Sequence, residues 1–155
     1  MTPITQTNKA GFEVTTCSRC GGTGHYSFNQ INGTTCFGCN GGKVKLTARG
    51  AAAHALFVAS TSVPTSEIVV GDKIFWDGGW RLVRSITLRP AAARSNGVSY
   101  DYISLETQRI VYSQSPATLV RVSRGAAAWA AKLAEALAYQ ATLGVSGKPL
   151  KKVEA

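Results

Sequence analysis

The sequence is poor in the residues from which catalytic sites are usually built. It has eight acidic residues and two histidines in 155 positions, and the acidic residues are scattered along the chain. The G-x-S-x-G, Walker A and H-E-x-x-H patterns, which mark nucleophilic, phosphate-binding and zinc-peptidase sites, are missing. We therefore expect a non-catalytic binding protein, with an enzyme site assembled from scattered residues as the alternative.

Long apolar stretches are also missing. A membrane-spanning helix needs about 20 apolar residues, and the alanine-rich run near the C-terminus is interrupted by Lys132 and Glu135. The first ten residues, MTPITQTNKA, lack the apolar core of a secretory signal. These absences predict a cytoplasmic protein without a membrane partner.

Cysteine is scarce, but all four cysteines fall into two C-x-x-C pairs separated by residues 21–35. They are Cys17, Cys20, Cys36 and Cys39. Two such pairs supply the closed tetrahedral thiolate set of one structural zinc ion. The alternatives are disulfides, typical of small secreted proteins, and a redox-active pair, typical of a helix start. Because each pair runs into glycines, we predict zinc, and we expect His25 to be a surface residue outside a completed ligand shell.

Glycines follow both cysteine pairs at similar distances along the chain. Residues 17–24 read C-S-R-C-G-G-T-G, a full C-x-x-C-x-G-x-G repeat, and residues 36–43 match it except that Lys43 replaces the last glycine. Over residues 17–43 the chain resembles half of a DnaJ-type cysteine-rich zinc finger. In that family four repeats bind two zinc ions and help to hold unfolded client proteins, so the resemblance implies a zinc knuckle and client holding. The sequence has no His-Pro-Asp tripeptide of a J-domain.

Basic residues outnumber acidic ones. The formal net charge is +9, which four thiolates and one divalent ion would lower to +7, and the sequence pI is near 9.7. Residues 1–60 contain five basic residues and one acidic residue. A basic protein suits a polyanionic partner, which makes nucleic acid a candidate.

The predicted zinc-finger module covers residues 1–46. Between the cysteine pairs, the Asn32-Gly33 dipeptide predicts a hairpin turn. Aromatic residues on this hairpin either stack on bases or pack within the finger, and an ordinary solvated face is the alternative for the basic residues. The candidate nucleic-acid-binding residues are Arg19, Tyr26, Phe28, Lys43, Lys45, Arg49 and, in loops of the next module, Arg89 and Arg94.

Downstream of the finger the sequence pattern changes twice. Thr47 is predicted to cap a connecting helix over residues 47–60, and the Ser/Thr/Pro stretch of residues 61–66 is predicted to be a linker. In residues 67–122, short apolar segments joined by tight turns predict a small antiparallel β-barrel of the SH3-like kind. The V-V-G-D-K-I and W-R-L-V segments resemble the opening of such barrels in nucleic-acid-binding and phage proteins, which implies a phage-encoded protein. Trp76 and Trp80, at a hairpin tip, either grip a base or peptide or close the barrel end.

Ser123 is predicted to cap a C-terminal helix over residues 123–144, followed by a basic tail of residues 145–155. The apolar stripe of this helix packs on the barrel or pairs with a second subunit. The expected fold is therefore α+β. We expect nucleic-acid binding through the basic finger and barrel loops; the alternatives are a protein-interaction adaptor docking on a larger machine and DnaJ-like client holding.

Overall fold

The computed structural model describes residues 6–26, 34–89, 102–107 and 111–150. These residues form a mixed fold of two α-helices and three antiparallel sheets, in agreement with the α+β expectation. The chain divides into two compact units. Unit 1 contains residues 1–57 and 133–155, and unit 2 contains residues 58–132.

A three-stranded sheet forms the base of the finger in unit 1. Strands β1 (Gln6–Thr7), β2 (Glu13–Thr16) and β3 (Val44–Leu46) are arranged in that order. The pairing of Thr16 with Val44 joins the chain entering the first cysteine pair to the chain leaving the second. These paired strands close the finger at its base.

Helix α1 (Ala48–Thr61) begins where the sequence predicted. The backbone N–H of Gly50 donates to the Thr47 hydroxyl at 3.1 Å, which is the expected N-cap bond. A β-carbon at Gly50 would collide with the carbonyl oxygen of Glu13, so this glycine permits a close approach of β2 to the helix. His54 packs edge-on against the Phe12 ring, with 5.3 Å between the ring centroids.

Helix α2 (Ala126–Ala141) starts later than predicted, because Ser123 is the last residue of a strand and does not cap it. Its last turns belong to unit 1, where the Gln140 side-chain oxygen accepts a bond from the Glu13 backbone at 3.0 Å. The first residues of the predicted basic tail are folded onto the end of α2 as far as Leu150. The N–H of Leu150 donates to the Thr142 carbonyl at 3.2 Å and closes a turn.

The described part of unit 2 contains seven strands in two separate antiparallel sheets. One sheet has the order β4 (Ser62–Pro64), β10 (Leu119–Ser123), β5 (Lys73–Trp76), β6 (Gly79–Leu82). The other has the order β7 (Ser85–Arg89), β8 (Tyr102–Glu106), β9 (Val111–Gln114). Both sheets contribute to one core, formed by Ile68, Ile74, Val83, Ile103, Leu105, Val120 and Val122.

Three local predictions for unit 2 need correction. Residues 61–66 form the end of α1, strand β4 and the start of a 3₁₀ helix (Thr65–Glu67) rather than a linker. Residues 67–70, the first apolar segment of the predicted barrel, form no strand, and the apolar segment of residues 80–88 is broken at Val83, whose N–H donates to the Asp72 carbonyl outside either sheet. This break separates the two sheets, so the described ranges contain no closed barrel.

Candidate metal centre and adjacent finger surface

The four cysteine sulfurs form one tight cluster. All four Sγ atoms lie within 4.8 Å of one another, with 4.0 Å between Cys17 and Cys36 and 3.8 Å between Cys20 and Cys39. A tetrahedral ion with Zn–S bonds of about 2.3 Å places its sulfurs about 3.8 Å apart. These separations fit a bound metal ion and are about twice an S–S bond length, so the structure contains no disulfide here.

The two cysteine repeats are related by an approximate twofold axis. The N–H of Cys17 donates to the Lys43 carbonyl at 2.9 Å, and the N–H of Cys36 donates to the Gly24 carbonyl at 2.9 Å. Each repeat therefore binds the last residue of the other repeat through the same backbone contact. Because the two halves use one geometry, they present their thiols symmetrically to one point.

The backbone angles repeat with the same register. The φ angles are 59°, 85° and 81° at Gly21, Gly22 and Gly24, and 48°, 78° and 67° at Asn40, Gly41 and Lys43. Lys43 thus adopts the left-handed conformation of the glycine that it replaces in the repeat. Such a conformation costs an L-residue about 1–2 kcal/mol. A β-carbon at Gly24 would lie 2.7 Å from the Gly41 carbonyl oxygen, so the first repeat requires glycine at this position.

The sulfurs are shielded and electrostatically unequal. Cys17 and Cys36 are completely buried. Burial raises the pKa of Cys20, but the backbone N–H groups of Gly24 and Gly22 outweigh it and lower this pKa to about 6. Burial, together with the Cys20 sulfur, raises the pKa of Cys39 to about 11. A divalent cation at the centre would favour the thiolate at every position.

His25 is not part of the cluster. Its side chain is exposed, and its Nδ1 lies 3.1 Å from the Thr34 hydroxyl. It is therefore a surface residue beside the site, as predicted, and the cluster has four sulfur donors.

Two of the predicted basic residues, Arg19 and Lys45, meet beside the metal centre, and a third, Lys43, lies against another glycine of the finger. The Arg19 guanidinium lies over the Tyr26 ring, 4.7 Å from its centroid. A β-carbon at Gly38 would lie 3.1 Å from Cδ of Arg19 and 3.2 Å from Nζ of Lys45, so both side chains converge over this glycine. Lys43 is exposed, and its Cγ would lie 3.3 Å from a β-carbon at Gly24. We call Arg19, Lys43 and Lys45 the basic finger surface.

Arg49 has a different position. Its Nε lies 2.7 Å from one Glu13 oxygen and its Nη2 lies 3.0 Å from the other, which makes a two-pronged ion pair between α1 and β2. The Glu13 side chain is only 11% exposed, so the charge of Arg49 is neutralised within unit 1. Phe28, Arg94 and the side chain of Arg89 lie outside the described residues, as does the predicted Asn32-Gly33 turn.

Phe37 is not among the binding residues predicted from the sequence. This residue sits inside the second cysteine pair and is 59% exposed, next to the glycine on which Arg19 and Lys45 converge. Its exposure could have been expected from its place in the sequence. In a C-x-x-C turn both cysteine side chains point toward the metal, so a residue between them points outward. An exposed aromatic ring thus adjoins the basic finger surface.

No helix within the described ranges is both long enough and apolar enough to cross a membrane. The chain matches no protein-family model, no curated protein and no solved structure. The resemblance to DnaJ-type fingers therefore rests on the repeat itself, whose backbone geometry both halves share.

Proposed function

We propose that the chain is a non-catalytic, cytoplasmic nucleic-acid-binding protein whose finger is closed by one structural zinc ion. Four thiolates in tetrahedral spacing select zinc or iron, and a single ion with four protein ligands keeps no open position for catalysis. A reducing compartment suits the four unpaired thiols. The two short sheets around one core support a relation of unit 2 to SH3-like barrels in an open form.

The observation that carries the proposal is the convergence of Arg19 and Lys45 over Gly38, beside the exposed ring of Phe37. An arginine stacked on an aromatic ring keeps its N–H groups at the edge of the plane, where they suit phosphate oxygens. Positive charge next to an exposed aromatic residue is the combination used to hold a phosphate backbone and a base together.

Lys43 adds a second line of support. The left-handed conformation of Lys43 is unfavourable for a lysine, and the equivalent residue of the other repeat, Gly24, is a glycine that adopts it without this cost. Local strain of this kind is commonly found at functional positions. In our proposal the strain is retained because the exposed ammonium group binds phosphate, while the metal only shapes the surface.

The test measures the affinity of the whole protein for a short duplex at several salt concentrations. Removing two phosphate contacts by Lys43→Gln/Lys45→Gln should reduce the slope of log K against log salt by about 1.8 and weaken binding. The control Lys9→Gln/Lys148→Gln removes the same charge from exposed positions away from the cluster and should leave the slope unchanged. Equal behaviour of the two double variants, or salt-independent binding, would refute the proposal.

The exposed ring of Phe37 also favours a second candidate function, contact with another protein. An apolar side chain on a DnaJ-like finger suits client holding, and it equally suits an adaptor docking on a larger machine. Phe37→Ser separates the candidates. If the finger holds clients, the wild-type protein should slow the aggregation of a reduced, unfolded protein, and the variant should not. If the wild-type protein does not slow that aggregation at all, client holding is wrong.

A further inference from the structure

Unit 2 carries an aromatic cluster that the metal centre does not use. The Trp80 ring of β6 and the Trp129 ring of α2 meet edge to face, with centroids 5.0 Å apart. Phe75 also packs edge-on against Trp80, with ring centroids 5.4 Å apart. Trp80 is still 40% exposed, whereas Trp76 packs against the core of unit 2. Of the two hairpin tryptophans, Trp80 therefore presents the more exposed ring.

A half-buried cation, Arg121, lies among these rings. The guanidinium carbon of Arg121 lies 5.4 Å from the Phe75 ring, 5.9 Å from Trp80 and 5.6 Å from Trp129. Contacts of this kind stabilise both the cation and the ring positions. Because the rings contact one another and Arg121, their exposed surface is already arranged before any ligand binds, which lowers the entropic cost of binding.

An open-sided cavity of about 660 Å³ adjoins the two tryptophans, a volume within the range of about 300–1,000 Å³ that is typical of ligand sites. Among the described residues that line it, none is acidic and two, Lys73 and Arg124, are basic. Arg124 is paired with Asp72 at 3.3 Å. Lys73 is exposed, and within the described ranges no carboxylate pairs with it. Lys73 is therefore the cation available to a ligand.

We propose that this cavity, the Trp pocket of Lys73, Trp80 and Trp129, binds one unpaired nucleotide of a single-stranded nucleic acid. The base would lie against the indole rings, and its phosphate would be bound by Lys73. The proposal rests on the proposed nucleic-acid function and adds to it a requirement for an unpaired base. A base inside a duplex is stacked on both faces and offers no face to the rings, whereas a single strand does. The first residue of α2, Ala126, also lines the pocket, so the positive end of the helix dipole adds to the attraction for phosphate.

The test compares binding of the full chain to a 12-nucleotide single strand and to a duplex of equal length. Trp80→Ala should weaken single-strand binding about 5- to 100-fold and leave duplex binding within twofold. Trp80→Phe keeps an aromatic face and should restore most of the affinity, which separates stacking from mere disturbance of the fold. Lys73→Gln should reduce the single-strand salt slope by about 0.7. Arg84→Gln, which removes an exposed charge of the same unit outside the pocket, should not.

The outcomes separate this proposal from the proposed function of the finger. Loss of binding in the finger variants alone would overturn the Trp pocket and leave the finger proposal standing. Loss in the Trp80 and Lys73 variants alone, confined to the single strand, would support the pocket and overturn the finger. Equal losses for single strand and duplex in Trp80→Ala would overturn the pocket. If uridine 5′-monophosphate binds as tightly as the 12-nucleotide strand, the ligand is a free nucleotide and the single-strand proposal is wrong.

Discussion

Replacing Lys43 by glycine should strengthen zinc binding while weakening nucleic-acid binding. Lys43 has a φ of 67°, close to the 81° of its counterpart Gly24. Relief of the left-handed conformation is worth about 1–2 kcal/mol, and the greater freedom of glycine in the unfolded chain returns about 0.5–1 kcal/mol of that. At the midpoints of these two ranges the net gain is about 0.7 kcal/mol.

Zinc affinity is the appropriate measurement, because a finger of this size folds as it binds its metal. The net gain corresponds to an affinity about three times higher, from the relation of about 1.4 kcal/mol per tenfold change. Competition of the whole protein with a chromophoric chelator at fixed pH measures this difference. Lys43→Ala keeps the strained conformation but removes the charge, so it should leave zinc affinity unchanged and still reduce the salt slope for nucleic acid.

The symmetry of the finger supplies two further variants. Asn40→Gly, at a φ of 48°, should give a smaller gain than Lys43→Gly, because asparagine tolerates the left-handed conformation. Gly24→Ala should lower zinc affinity more than tenfold, because its β-carbon would lie 2.7 Å from the Gly41 carbonyl oxygen. If Lys43→Gly binds zinc no better than the parent, or Gly24→Ala binds it equally well, the reasoning from the repeat geometry is wrong.

Three other predictions follow from the packing of unit 1. Zinc removal should unfold residues 12–45, since structural zinc is worth on the order of 10 kcal/mol. Trypsin should then cut the chain at Lys43 and Lys45. Simultaneous loss of structure in unit 2 would contradict the division of the chain into two units. Glu13→Gln should destabilise the protein by about 1–2 kcal/mol in urea unfolding, because it replaces a charged acceptor of Arg49, whereas exposed Glu67→Gln should have little effect. Gly38→Ala should displace the Arg19 and Lys45 side chains and weaken nucleic-acid binding, while zinc affinity stays within twofold of that of the parent protein. Unchanged nucleic-acid binding would show that the convergence of these two side chains is unimportant.

Local chemistry made parts of unit 1 predictable. The cysteine cluster depends on ligand number, and the Thr47 cap depends on a contact between residues near in sequence. The role of Arg49 was not predictable, because its partner Glu13 lies 36 positions away. A sequence pattern reports that a residue is basic, but only the fold decides whether a carboxylate already neutralises it.

In unit 2 the strand pattern predicted most strands but not their connection. The segment from Trp80 to Leu88 has continuous β propensity, yet Val83 leaves the sheet because its N–H bonds to Asp72. The bond from Val83 to Asp72 divides one apolar segment into two strands of different sheets, so the predicted barrel is not closed. The Trp pocket was unpredictable for the same reason, because Trp129 looked like one residue of a helical stripe until its contact with Trp80 was known.

The approximate twofold axis of the finger explains where its basic side chains lie. Positions 19 apart are equivalent, so Arg19 corresponds to Gly38 and Gly24 corresponds to Lys43. In both cases the basic side chain of one repeat lies over the glycine of the other. A perfectly repeated sequence would bring two long side chains of like charge into that space, or would leave two glycines and no charge. A basic residue in one repeat and glycine in the other preserves the shared backbone geometry and both charges. The departures from the repeat, rather than the repeat itself, therefore mark the surface that we propose meets phosphate.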